Sequence, residues 1–308
     1  VNGPFHEGEI QIQREAGEEK IGTMNGAIIS KRIMSGALPF LRQQAFVVIG
    51  SRSNDQSLWC SVVFGFPGFL SSDDGYSLTI DRTGLGIQVN DPLWENIDLD
   101  AAVGLLVIDL RSRRRLRVNG TISRLTPEEI VLSVAEAYPN CPKYITRRDL
   151  RVSQARHVLP LAASTGVQLG EDQMALFNRA DMLFLATAHP TAGLDASHRG
   201  GPAGFVEVAG PHTLRIPDYP GNGMFNSLGN LAVDPRIGLA VIDLERRRSL
   251  QVTGTAAIEF GVQDPTNRSG GTNRFIKVNI DRWIELPLLV GLKAEFLDYS
   301  PFNPASRT

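Results

Sequence analysis

The chain has 308 residues, 42% hydrophobic and 21% charged, with a formal net charge of −2, enough to bury one or two full cores of an ordinary soluble globular protein. The near-neutral balance and scattered basic residues exclude a footprint for nucleic acid or an anionic membrane; no apolar run reaches the length of a membrane span and no signal-peptide order opens the sequence, so a cytoplasmic protein is expected. Two cysteines, Cys60 and Cys141, make no disulfide framework, and no Cys/His set has zinc-site spacing, so no metal is expected.

In chain order, residues 1–20 are charged with few large apolar groups and are expected to wrap the surface or stay loosely ordered. Residues 24–42 have helical character and lead into a strand over 45–51, with a further β-rich run over 60–66. Residues 103–110 (VGLLVIDL) are a continuous apolar run, as in a strand buried on both faces. After the Arg-rich stretch 111–115, Leu116, Val118, Gly120 and Ile122 alternate with Arg117, Asn119 and Thr121, the period of a half-buried strand, so 103–122 reads as an antiparallel hairpin. Gly120, like Gly254 later, marks a bulge or a close approach inside a strand.

Residues 145–168 are basic, then small and polar, and read as the linker between a domain over 1–150 and another over 151–308. The second half repeats the order of the first: helical character over 169–180, a strand over 182–188, and β-rich runs over 203–209, 212–217 and 274–280. Its hairpin, "IGLAVIDLERRRSLQVTGT" (237–255), matches "VGLLVIDLRSRRRLRVNGT" (103–121) at twelve of nineteen positions without a gap, 134 residues apart, which reads as a duplication. Each half is therefore expected to be a small, mostly antiparallel β-barrel with peripheral helices.

The halves differ just upstream of this hairpin. Asn222, Asn226 and Ser227 stand where the first half has Gln88, Pro92 and Leu93, and His198 and Arg199 stand against apolar residues of the first half. Asn and Ser side chains, Gly-rich turns and guanidinium groups suit a phosphate monoester, whose oxygens accept many hydrogen bonds; Arg199, with Arg247 or Arg248, would neutralise its charge. The same Asn residues also favour turns and caps whatever the function. His198 is open to two readings, a charged or polar group at a cofactor and a strand-end histidine bonded to a carbonyl. Cys141, between Asn140 and Lys143, reads as a lowered-pKa thiol or as a small buried apolar residue. No dinucleotide fingerprint, nucleophile elbow or P-loop is present.

"HRGGPAGFVEV" (198–208) and "LRIPDYPGNGMFNSLGNLAVDPRIGLAVID" (214–243), with "AYPNCPKYITRR" (137–148), resemble the pyridoxamine 5'-phosphate oxidase-related FMN-binding family. The resemblance implies two tandem split β-barrels of Greek-key type, with FMN held non-covalently between them. Ser197, His198, Arg199 and Gly200 would lie along the ring or ribityl chain. Asn222, Met224, Asn226, Ser227 and Asn230 would hold the ribityl and phosphate end, Pro217, Asp218 and Lys143 would also touch the cofactor, and Cys141, Pro142, Lys143 and Tyr144 would be presented by the first barrel. It implies an FMN-dependent oxidoreductase acting on a small organic or nicotinamide substrate or electron donor, with His198 and Arg199 as candidate catalytic groups. Family members with one barrel per chain build the site as homodimers, and a homodimer is expected here too. The basic run with which true pyridoxamine phosphate oxidases grip their substrate's phosphate is missing. A deazaflavin- or haem-binding split barrel, or a non-catalytic flavin-binding module, stays open beside it.

Overall fold

The computed structural model describes residues 3–86, 89–153 and 162–305. Gln88 and the middle of the expected linker lie outside the described residues. The first sheet is built from β1 (Phe46–Arg52), β2 (Leu58–Phe64), β3 (Leu70–Ser71), β4 (Ser77–Asp81), β5 (Ala102–Asp109), β6 (Arg114–Leu125) and β7 (Glu129–Pro139) in the order β2-β1-β5-β6-β7-β4-β3. β8 (Arg147–Ser153) follows it, and β9 (Ser164–Gly166) leads into the second half. The second sheet comprises β10 (Met182–His189), β11 (Gly193–Gly200), β12 (Glu207–Gly210), β13 (Thr213–Pro217), β14 (Arg236–Asp243), β15 (Arg248–Glu259) and β16 (Phe275–Pro287), with β9 paired to β16 beside this path. Its order, β11-β10-β14-β15-β16-β13-β12, repeats that of the first strand for strand. In each, one hairpin lies at one edge, the chain crosses to a second hairpin at the opposite edge, and a three-strand meander returns between them. The fold is thus mostly β, two tandem split barrels; β8 pairs with β17 (Gly291–Asp298) in a separate ribbon.

The helices are peripheral: α1 (Glu7–Glu15), α2 (Glu19–Gly26), α3 (Leu38–Arg42), α4 (Leu93–Asn96), α5 (Glu171–Arg179) and α6 (Asn226–Val233). Among the described residues no helix is long and apolar enough to cross a membrane.

The continuous apolar runs are explained by two cores on two faces. Val47, Ile49, Leu105 and Val107 point into the first barrel, and Leu183, Leu185, Leu239 and Val241 into the second. The alternate positions Val48, Leu106, Phe184, Ala186 and Ala240 meet in a third core between the barrels. There β2 packs on β14 and β15, and β11 packs on β5 and β6, so the two halves face each other about an approximate twofold axis. The repeated glycine of the two hairpins stands at this contact. A Cβ on Gly104 would lie 2.6 Å from the Asp195 Cα and the Leu194 carbonyl oxygen, and one on Gly238 would lie 2.8 Å from the Leu58 carbonyl oxygen. Backbone against backbone leaves no side chain to yield. Gly104→Ala is therefore expected to cost about 1–3 kcal/mol in a urea denaturation curve and to displace β11.

The bulges expected at Gly120 and Gly254 are present as register shifts after Asn119 and Thr253. Three local expectations are corrected. The opening residues form α1 and α2, because Ile12 and Phe5 are buried and the polar side chains of Glu9 and Gln13 find partners on the second barrel. The helical stretch over 24–42 is broken between Gly26 and Ser35, where Ser30 bridges to Ala137 instead. Within 203–209 only Glu207 onward is strand, since the Gly-Pro-Ala-Gly turn buries Phe205 and Val206 without pairing them.

Candidate functional site

β11 starts at Gly193 and runs antiparallel to β10, with Met182 opposite Gly200, as Phe46 lies opposite Phe64 in the first barrel. This register sets Ser197, His198, Arg199 and Gly200 in the places held by Ser61, Val62, Val63 and Phe64. A cleft of about 870 Å³, counting its open mouth, lies between this strand, the start of α6 and the first barrel.

Lys143, Ser197, His198, Arg199, Gly200, Pro217, Asp218, Asn222, Asn226 and Ser227 all line the cleft, as do Cys141 and Tyr144. Met224 does not. Its side chain is buried with Phe5 and Tyr138, because a thioether packs in an apolar core more favourably than in a polar cleft. Asn230 is also displaced: one turn further along α6, it bonds the Thr187 hydroxyl at 3.0 Å and the His6 imidazole at 2.9 Å, and lines a second cavity. Pro142 is not among the residues lining the cleft. Gly200 is required by the protein itself, since a Cβ there would lie 2.0 Å from the Tyr144 carbonyl oxygen.

Beside Arg199, the positive charge in the cleft comes from the first half of the chain. Arg248 is held by Glu285 at 2.8 Å on the far side of the second sheet, and Arg247 occupies a left-handed position in the turn; neither lines the cleft. Arg115 and Arg117 do, reaching across from β6. Arg117, 6% exposed, donates to the Tyr138 hydroxyl (2.9 Å), Asp195 (3.1 Å) and Ser197 Oγ (3.1 Å). Ser197 Oγ is in turn 2.6 Å from Ser227 Oγ. Arg115 donates to the Cys141 carbonyl at 2.6 Å and has no carboxylate partner among the described residues. Burial pulls its guanidinium down to about 10, so it remains a cation at neutral pH. Their counterparts in the second hairpin are Ser249 and Gln251, two of the seven unmatched positions of the repeat.

Arg199 pairs with Asp218 at 3.2 Å, and Asp218 is shared with Arg274 at 3.0 Å. His198 is held neutral: burial and the neighbouring Arg115, Arg199 and Arg148 push its pKa well below the usual imidazole value. It therefore brings no positive charge. Its Nε2 and the Nε of Arg199 are buried with no protein partner among the described residues. The first turn of α6 also borders the cleft. It starts after Phe225 in a left-handed conformation (φ 58°) and carries no side-chain cap, which leaves its N–H groups free to bond a ligand. Tyr144 and Tyr219, with ring centroids 4.9 Å apart, add an aromatic wall.

At the twofold-related position the first barrel is sealed. Val62, Phe64, Ala240, Leu288 and Val290 close it as part of the central core, and Ser61 bonds Asp91 (2.6 Å), which also receives Gln251 (2.7 Å).

The N-terminal segment is the element that sequence reasoning missed. Gln13 donates to the Met224 carbonyl at 3.2 Å and Asn25 to the Asn222 carbonyl at 2.6 Å, Glu9 accepts from Asn226, and His6 meets Asn230. The first two helices thus strap the whole 222–230 segment. His6, Glu7 and His189 bring possible ligand atoms within 4.8 Å of one another. Both imidazole Nδ1 atoms, however, accept backbone N–H groups, from Gly8 and from Thr191 and Ala192. Each Nε2 therefore carries the proton, and neither ring has an N–H left to orient it on a metal. The trio reads as a hydrogen-bonded lock.

No protein-family model matches the sequence, and no curated protein does. Solved structures show likeness over part of the chain. A candidate pyridoxamine 5'-phosphate oxidase from Lactobacillus delbrueckii is 21% identical over 38% of this chain and 93% of its own, with a TM-score of 0.30. HupZ of Group A Streptococcus is 13% identical over 43% of this chain and 98% of its own, with a TM-score of 0.27. An FAD-binding protein from Mesorhizobium loti is 10% identical over 41% and 99%, with a TM-score of 0.27.

Proposed function

We propose that the cleft binds FMN, and that the chain is an FMN-dependent oxidoreductase with a duplicated pyridoxamine 5'-phosphate oxidase-like architecture. Its halves are 1–150, the partner barrel, and 151–308, the cofactor barrel. The observation that carries this reading is the asymmetry of two related positions: one open and lined by cations and donors unpaired among the described residues, the other sealed by apolar side chains.

When bound, the flavin supplies hydride or electron transfer through its N5 position to or from a small organic or nicotinamide substrate. The protein does the rest. Arg115 and Lys143 neutralise an anionic end, and the α6 N–H groups with Asn226 and Ser227 bond its oxygens. Ser197, Ser227 and Arg117, hydrogen-bonded to one another, would hold the ribityl chain. Arg199, held by Asp218, and neutral His198 border the ring position; Arg199 offers the charge that favours an anionic reduced ring, while His198 offers polarity alone. Tyr144 and Tyr219 shield one side from water. Because both barrels come from one chain, the site needs no second copy for completion. A homodimer, if formed, would add a surface outside this cleft.

FMN titration followed by flavin fluorescence tests the reading. Asn226→Ala with Ser227→Ala is expected to weaken FMN binding by about tenfold or more. Pro92→Ala with Leu93→Ala, at the sealed position, is expected to lower stability alone. Equal loss of FMN from both pairs would refute the assignment.

A further inference from the structure

We propose that the second cavity, on the other side of Asn226 from the cleft, binds an organic primary ammonium cation. It has a volume of about 560 Å³ with its mouth, and it is walled by Glu9 from α1, Glu136 from β7, Asp195 from β11, Asn119 from β6, and Asn226 and Asn230 from α6. These groups present mainly acceptors. Asn119, 6% exposed, gives its amide N–H to Asp195, and its Oδ1 has no donor among the described residues. A buried acceptor without a donor is costly, and a ligand N–H removes that cost.

The charges facing the cavity do not balance. Arg117 is the neighbouring cation, and it is already committed to Asp195, Tyr138 and Ser197. His6 donates from Nε2 to Asn230 and accepts at Nδ1, so it is neutral. Among the described residues neither Glu9 nor Glu136 has a Lys or Arg ion pair of its own, and burial with the nearby Asp195 carboxylate raises both pKa values, Glu9 to about 8, against the pull of Arg117 and an Asn119 hydrogen bond on Glu136.

A metal ion is a poor occupant, because the carboxylate oxygens of Glu9, Glu136 and Asp195 do not converge within the 4.8 Å that one ion needs. An ammonium group with three N–H donors spans such dispersed acceptors, and Phe5 and Leu194 in the same wall accommodate an alkyl stem. The related cavity of the first barrel lacks this chemistry. Thr253 replaces Asn119, the position of Glu136 is taken by Arg282, and Arg282 is paired with Asp55 at 2.6 Å. That cavity keeps Asp55 and Glu95 with the cation Arg282 in its lining, whereas the second cavity is lined by three carboxyl groups and no Lys or Arg.

Isothermal titration of the full chain at pH 7 with n-butylammonium, tetramethylammonium and magnesium chlorides tests the inference. n-Butylammonium is expected to bind saturably with release of a proton, as Glu9 ionises beside it. Tetramethylammonium, which has no N–H, is expected to bind at least about tenfold more weakly. Glu136→Gln and Glu9→Gln are each expected to weaken n-butylammonium by about tenfold, with the thermal midpoint monitoring folding. Equal binding of the two ammonium ions, unchanged affinity in a folded Glu136→Gln, or competition by magnesium would overturn it. Flavin content, read from the visible spectrum of the same samples, reports on the cleft separately. Absent ammonium binding in a flavin-loaded protein contradicts this inference alone.

Discussion

Arg117→Met is expected to destabilise the protein by about 3–5 kcal/mol and to empty the cleft of flavin. Asp195 and Arg117 have side chains 7% exposed each, so removing the guanidinium leaves a carboxylate buried without its counter-ion, and Ser197 and Tyr138 each lose a bond. Two further variants separate folding from binding. Replacing Arg117 by Met and Asp195 by Leu together removes both charges and is expected to restore most of the stability without restoring flavin. Gln251→Met, at the twofold-related position, is expected to cost about 1–2 kcal/mol and leave flavin content unchanged. Urea denaturation and the visible absorption of the purified variants provide both readouts. An Arg117→Met protein that keeps its flavin would remove the first barrel from the site.

The second large effect is a pH dependence carried by Glu9. This carboxyl is 4% exposed on the α1 face against α6, where it accepts from the His6 backbone N–H (2.9 Å) and from Asn226. Burial is the main cause of its pKa of about 8, opposed by those hydrogen bonds and reinforced by Asp195. The folded state thus holds a proton that the unfolded chain releases near the ordinary carboxylate value of 4.5. Its contribution is fully present below the unfolded pKa and is lost as pH rises from there to about 8, where the folded group also ionises. Stability is expected to fall by on the order of a few kcal/mol across this window. Glu9→Gln, which mimics the neutral acid, is expected to flatten that part of the profile and to be relatively more stable at the alkaline end. Urea midpoints taken across the window check it; parallel profiles for the two proteins would place the proton elsewhere.

The barrels were legible in the sequence because their signal is local. An apolar run followed by a period-2 run marks the hairpin wherever it stands, and the gap-free repeat at 103–121 and 237–255 falls on matching strands of two sheets with the same strand order. The second-half cleft residues were legible by contrast, since Asn226 and Ser227 stand where the first copy has Pro92 and Leu93. Apart from Arg199, the cleft's arginines stand on the first hairpin, not on the second as the sequence suggests. The barrels face each other, so the first hairpin serves the cleft of the second half, and Arg247 and Arg248 point elsewhere. Their signal lay in the mismatches of the repeat: Leu106 for Ala240, Arg115 for Ser249, Arg117 for Gln251 and Asn119 for Thr253. The first three line the cleft and the fourth lines the second cavity. The N-terminal strap was illegible for a physical reason. Its buried face includes Gly8, Glu9 and Gln13, whose burial depends on α6, more than two hundred residues away. Hydrophobic periodicity cannot mark a helix held by polar side chains and a glycine contact, here Gly8 against the Gly229 carbonyl.

The most direct measurement is the stoichiometry and identity of the small molecule released on denaturing the purified protein, by visible spectrum and mass. An open cleft paired with a sealed counterpart predicts FMN at one per chain, bleaching on reduction. A colourless protein that takes up no FMN, or two equivalent flavins per chain, would contradict it.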